Sequence, residues 1–102
     1  EAAVDFIRQF KVDFAVIGVS AIDPDGALLD FDFREVKVAQ AIIANARHVI
    51  VVADQTKFTR TAPVRIGHLS QAHSFITDIC PVDSIRQVCT DADIALIETG
   101  AA

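Results

Sequence analysis

Val49-Ile50-Val51-Val52-Ala53-Asp54-Gln55-Thr56-Lys57-Phe58 is the stretch on which the fold turns. Five apolar residues, rich in Val and Ile, run straight into Asp-Gln-Thr-Lys. A continuous apolar run of this length, with no polar alternation, is how a parallel strand buried on both faces reads. Its abrupt polar end matters because open α/β sheets hold ligands just beyond the carboxyl ends of their strands. Lys57 is one of three lysines in the chain. A carboxylate and an ammonium three residues apart on such a loop suit a small hydroxylated anion.

Working outward, Asp32 to Ala46 reads as the best helix. Asp32 and Glu35 have capping-box spacing, and Val36, Ala39, Ile43 and Ala46, with Ile42 beside them, repeat on one face. Arg47 and His48 would then sit where cations suit the helix dipole. Phe14 to Ser20 (FAVIGVS) reads as a buried strand, with Gly18 marking a close backbone approach or a strand end. Asp23-Pro24-Asp25-Gly26 is a turn. Strand, turn, helix, strand makes a βαβ unit with parallel strands and a right-handed crossover.

The flanks agree. Ala3 to Phe10 has helical spacing, Ser74 to Asp78 reads as a third strand, and Ile94 to Glu98 reads as a fourth. Val82 to Val88 fits a short helix with Asp83 as its cap. Thr59 to Ser70 is less regular and carries Arg60, Arg65 and His68. Alternating strands and helices imply an α/β domain built on an open, mostly parallel sheet with flanking helices.

Bulk properties narrow the function. The chain has 102 residues, 52% apolar, enough for one small domain. Its net charge of −5 argues against this segment reading nucleic acid itself. No apolar run is long enough to span a bilayer. Two cysteines are too few for a disulfide framework, and a reduced, cytoplasmic protein is the plain reading. His68 and His73 do not have zinc-motif spacing, so no metal is expected. Neither a G-x-G-x-x-G nor a P-loop is present, and Ser20 lies in no nucleophile elbow. The first residue is Glu and the text begins inside a helical pattern, which suggests a fragment truncated at its N-terminus.

Three predicted strands end in polar residues that could face one crevice: Gly18, Ser20 and Asp23 from the first, Asp54, Gln55, Thr56 and Lys57 from the second, Thr77 and Asp78 from the third. Polar βα loops need no function, since loops lie at the surface; the shared carboxyl-end position is what raises the group. Glu35 has a structural explanation as capping partner. Lys37, in the first turns of the helix, has none; it is either solvated or offset by a bound anion.

The stretch FAVIGVSAIDPDGALLDFDFREVKVAQAIIANARHVIVVADQTKF resembles the sensor domain of DeoR-family bacterial transcription repressors. The resemblance rests on the strand ending in Gly18 and Ser20, on Ile22-Asp23, Glu35-Val36-Lys37, Ala53-Asp54 with Lys57-Phe58, and Ile76-Thr77-Asp78. Leu28 to Phe33 (LLDFDF) is most similar to the glycerol-3-phosphate branch of the family. The resemblance implies a ribose-5-phosphate isomerase-like, Rossmann-like fold. Residues 1–102 would then be a partial effector-binding sensor domain, with its winged helix-turn-helix and phosphate loop upstream. It implies a phosphorylated polyol or sugar as effector, glycerol 3-phosphate foremost. Gly18, Ser20, Asp23, Glu35, Lys37, Asp54, Lys57 and Asp78 would line its site. Lys57 and Lys37 would meet the charge, while Asp54 and Asp23 would accept from hydroxyls or orient the lysines. DNA would be reached only through the upstream domain, in a homo-oligomer, with no cofactor.

In the isomerase a comparable Arg-Glu-x-Lys helix start carries the catalytic base, which falls at Glu35. The isomerase also has a Lys- and Gly-rich loop before that helix, where this chain has Leu28 to Phe33. Ala21 stands where the family often has glycine. The expectation is therefore a sensor without catalytic residues. A sugar-phosphate isomerase is the alternative, and a purely structural oligomerisation module is a third class.

Overall fold

The computed structural model describes residues 2–100. Helix α1 (Ala2–Ile7) leads into β1 (Val12–Gly18), then β2 (Ala21–Ile22), β3 (Ala27–Asp30), α2 (Phe33–Ala44) and β4 (Ala46–Val52). After these come β5 (Val64–His68), β6 (Ser74–Thr77), α3 (Asp83–Asp91) and β7 (Ala95–Glu98), with short 3₁₀ turns at Gln55–Thr59 and Leu69–Gln71.

The strands β1, β4, β6 and β7 form one parallel sheet in that order. This is the Rossmann-like open α/β architecture that the apolar runs imply. The order marches in one direction, so right-handed crossovers place every connection on the same face. On that face Ala15, Ile17, Val49, Val51 and Phe75 are buried beneath Val36 of α2 and Ile85 and Cys89 of α3.

The opposite face is bare and apolar. Phe14 and Val16 are each 67% exposed, and Val52 and Ile97 are also open. The expectation of a buried strand thus fails at Phe14, Val16 and Gly18 of β1, and at Val52 in the stretch read as buried on both faces. Apolar content alone cannot tell a strand covered on both faces from one covered on a single face.

A second sheet, antiparallel in order β2-β3-β5, was not foreseen. The strands β2 and β3 are too short to show alternation, and β5 hides in the basic stretch read as irregular. Ile22, Leu28 and Ile66 point into the main core, while Ala21, Ala27 and Leu29 form a small cluster with Ala62. The predicted turn closes the β2–β3 hairpin: Gly26 N–H donates to the Asp23 carbonyl at 2.9 Å, and Gly26 adopts φ +96°.

Several helix ends differ from those the sequence predicts, α1 stopping at Ile7 and α3 running on to Asp91. Asp32 caps α2, accepting from Arg34 N–H at 2.8 Å and Glu35 N–H at 3.4 Å, but Glu35 does not return the bond that a full capping box requires. The helix stops at Ala44, where the Asn45 amide turns back to the Ala41 carbonyl at 2.7 Å. Ala46, Arg47 and His48 consequently belong to β4 rather than to the helix end. Arg47 pairs with Asp13 at 3.1 Å, and His48 meets the Ser74 hydroxyl at 3.0 Å. Asp83 is the first residue inside α3; the cap position is Val82, which has no side chain able to accept.

Candidate functional site

Strand register brings the polar ends together. Gly18 lies opposite Val52, Val52 opposite Ile76, and Ile76 opposite Ile97. Two residues beyond this row come Ser20, Asp54 and Asp78, so all three start from one edge of the sheet. Neighbouring strands are roughly 4.8 Å apart, so local hydrogen bonding decides which of these groups converge. It sorts the eight sequence-predicted residues into two clusters and two outliers.

The first cluster gathers at the end of β1. A cavity of about 390 Å³ runs between β1 and α2, lined by Val16, Gly18, Asp30, Arg34, Glu35 and Ala39, among others. Ser20 does not line it but donates its hydroxyl to Asp30, which does, at 2.7 Å. Asp30 also accepts from Phe31 N–H at 2.8 Å. Gly18 is not required by a close approach: a Cβ built there meets nothing within 4 Å, and its backbone is not left-handed. Its missing side chain leaves the cavity mouth open. Sequence reasoning found Gly18, Ser20 and Glu35 here but missed Asp30 and Arg34. Asp30 falls inside the Leu28 to Phe33 string and Arg34 opens the Arg-Glu-x-Lys helix start, so neither stands out on its own. The adjacency of Arg34, Val38 and Ile42 along one side of α2 was the available signal.

The second cluster is an internal lock. Asp54 caps the 3₁₀ turn, accepting from Thr56 N–H at 2.8 Å, from the Thr56 hydroxyl, and from Lys57 Nζ at 3.0 Å. The Thr56 hydroxyl, then Lys57, hold the Asp54 carboxyl far below the usual carboxylate range. Asp78 accepts from Gln55 N–H at 2.8 Å and from the Gln55 side-chain amide at 3.2 Å. Backbone N–H groups at Ile79 and Gln55 lower its pKa as well. Both carboxylates and the Lys57 ammonium are therefore already engaged with their own loop, whereas the sequence offered them as groups awaiting a ligand.

The two outliers sit elsewhere. Asp23 lies at the tip of the β2–β3 hairpin, whose Pro24 carbonyl accepts from Ser84 of α3 at 2.7 Å. Lys37 lies over the Phe33 ring, 5.4 Å from its centroid, and lines a groove with Ala3 and Val4 of α1 and with Arg8 just beyond it. It does not line the β1–α2 cavity. Of the string Leu28 to Phe33, Leu28 to Asp30 belong to β3, and Leu28 is buried.

Among the described residues no three His, Cys, Asp or Glu side chains converge to hold a metal ion. No helix among them is long and apolar enough to cross a membrane.

Comparison with known proteins agrees with this architecture. The chain is 49% identical over 96 residues to the glycerol-3-phosphate regulon repressor of Escherichia coli (strain K12), covering 94% of this chain and 38% of that protein. The Haemophilus influenzae protein of the same name is 52% identical over 81 residues, 79% of this chain and 32% of that one. The repressor CsqR of Escherichia coli (strain K12) is 36% identical over 96 residues, 94% of this chain and 37% of the repressor. The chain thus spans about a third of the length of these relatives, all of which are repressors by name. The family described as the DeoR C terminal sensor domain matches residues 1–79, and the chain belongs to that family.

Proposed function

We propose that this chain is the effector-sensing part of a bacterial transcriptional repressor, and that its effector is a small phosphorylated polyol, glycerol 3-phosphate first among them. The observation that carries the reading is family membership together with 49% identity, over 94% of the chain, to a repressor of the glycerol-3-phosphate regulon. The β1–α2 cavity supports it. At about 390 Å³ it lies at the small end of the range for ligand sites. It opens at the carboxyl end of a parallel strand and would form one wall of the site, offering one cation and two carboxylates, with the facing wall supplied by the units that pack on the free edge of β1.

The chain acts as a sensor and not as a catalyst. Effector in the crevice favours one of two arrangements of the protein, and the DNA-binding heads follow. Such a shift needs different effector affinity in the two arrangements. A homo-oligomer reading a symmetric operator suits that task, and the work is done in the cytoplasm, where the operator is.

The sensor domain extends beyond these residues. Parallel sheets are covered on both faces, and here one face leaves Phe14 and Val16 open. A march in one direction cannot cover that face, because its crossovers all fall on the other. Strand–helix units running the opposite way from the free edge of β1 would close it.

Thermal melting of the full-length protein tests the reading. Glycerol 3-phosphate is expected to raise the midpoint and to weaken operator binding. If glycerol 3-phosphate, fructose 1-phosphate and ribose 5-phosphate all leave both unmoved, the sensor reading fails.

A further inference from the structure

Resting on the homo-oligomer of that reading, we propose that the outer edge of β7 pairs with the same edge of a second copy. The two strands run antiparallel about a two-fold axis and make one continuous sheet. In the order β1-β4-β6-β7, β7 is the edge away from β1. Ala95 N–H donates to the His73 carbonyl at 3.1 Å, and Thr99 N–H to the Thr77 carbonyl at 2.9 Å. Successive residues of a strand turn their backbone groups to opposite sides. Ala95, Ile97 and Thr99 therefore face β6, while Leu96 and Glu98 aim N–H and C=O outward. Among the described residues no hydrogen bond reaches these outward groups. The other edges are managed differently. Gln40 of α2 donates to the Arg65 and Ile66 carbonyls of β5, at 3.4 and 3.2 Å. Two-residue β2 lies against the 3₁₀ turn Gln55–Thr59, and the β1 edge is the one the further strand–helix units take. β7 has no lysine, proline or bulge to keep another strand off.

The sequence of β7 suits its own copy. Centred on Leu96, the pairing lets each Leu96 exchange both backbone bonds with its counterpart, an isologous contact. Opposite residues then share a face of the sheet, so Ile97 of one copy stands beside Ala95 of the other. Ile97 is 45% exposed on the bare face, and the small Ala95 leaves room for it. Glu98 falls opposite Ile94, with its carboxylate already turned back onto Cys80 N–H at 2.9 Å and Arg86 at 2.8 Å. It brings no unpaired charge into the seam. Four residues a side fall well short of the roughly 1,600 Å² of a standard interface. The seam therefore joins copies that their other domains also hold together, where effective concentration takes the place of area.

Residue-resolved hydrogen exchange and sedimentation of the full-length protein test the pairing. In the wild type the Leu96 and Glu98 amides are expected to exchange as slowly as those of Ala95 and Ile97, in a species of two chains or more. Ile97→Lys places a charge on the seam and should speed exchange at Leu96 and Glu98 by about tenfold or more. Ala95 and Thr99, bonded to β6, should stay protected, which shows that β7 is still folded. Ile97→Val should exchange as the wild type does. Rapid exchange of Leu96 and Glu98 in the wild type overturns the proposal. So does their protection in a species of one chain, which gives the edge to a segment of the same chain, and so does protection unchanged by Ile97→Lys. The melting response to glycerol 3-phosphate reads the sensor function separately and is expected to persist in Ile97→Lys. Its absence from the wild type counts against the sensor reading alone.

Discussion

The Asp78 carboxylate takes both the backbone N–H and the side-chain amide of Gln55, at 2.8 and 3.2 Å. One residue thereby ties the end of β6 to the loop that leaves β4. That loop carries Asp54, Thr56 and Lys57, so Asp78 fixes their orientation from outside while Asp54 fixes it from within. Replacing Asp78 by Ala removes the acceptor. We expect faster hydrogen exchange at the Gln55 amide, a lower melting midpoint and an unchanged response to glycerol 3-phosphate. A lost response with a preserved midpoint would return Asp78 to the ligand site.

Acid should destabilise the fold through three carboxylates. Asp54, Asp78 and Glu98 are all held below their ordinary range, by the Thr56 hydroxyl and Lys57, by backbone N–H groups at Ile79 and Gln55, and by Cys80 N–H and Arg86 respectively. The unfolded chain takes up these protons near about pH 4, whereas the folded chain does so only at lower pH. Their stabilisation is therefore complete above that range and is lost as pH falls through the folded values. Melting curves from about pH 7 to about pH 3 should show it, with a shallower slope in the Asp54→Asn, Asp78→Asn, Glu98→Gln triple variant. An identical slope would contradict these hydrogen bonds.

Gly26 is a glycine the fold requires. Its φ is +96°, and a Cβ there would stand 2.8 Å from His68 Nε2. That same nitrogen meets the Asp25 carbonyl at 2.7 Å. Gly26→Ala should cost about 1–3 kcal/mol in urea unfolding, with the β2–β3 hairpin exchanging first.

Gly18 is the opposite case, since a Cβ there meets open space. Gly18→Val is expected to leave the melting midpoint close to the wild type while narrowing the cavity mouth. Loss of the glycerol 3-phosphate response with stability intact would mark the β1 end as the binding site. A normal response would move the ligand elsewhere.

Phe75 anchors the core, fully buried and edge-to-face with Phe58 at 6.1 Å between ring centroids. Phe75→Ala should cost about 3–5 kcal/mol by denaturant unfolding. A much smaller loss would mean that β6 is not the central packed strand.

The sequence by itself determined the parallel sheet and its helices. Val49 to Ala53, Ser74 to Asp78 and the face of α2 are short-range patterns, set by burial and backbone geometry within a few residues. It also placed Gly18, Ser20, Asp54 and Asp78 at strand ends, because a strand's carboxyl end can be read from where its apolar run stops. Tertiary structure alone decided which of these groups were free. Whether Lys57 awaits a ligand or is spent on Asp54, and whether Lys37 or Arg34 faces the cavity, depends on distances between residues on different elements and on which way α2 is rotated over β1. The second sheet was illegible for the same reason. Two-residue β2 is too short to carry a period and β5 alternates only over Val64, Arg65 and Ile66, and both become strands because β3 lies between them to complete their hydrogen bonds.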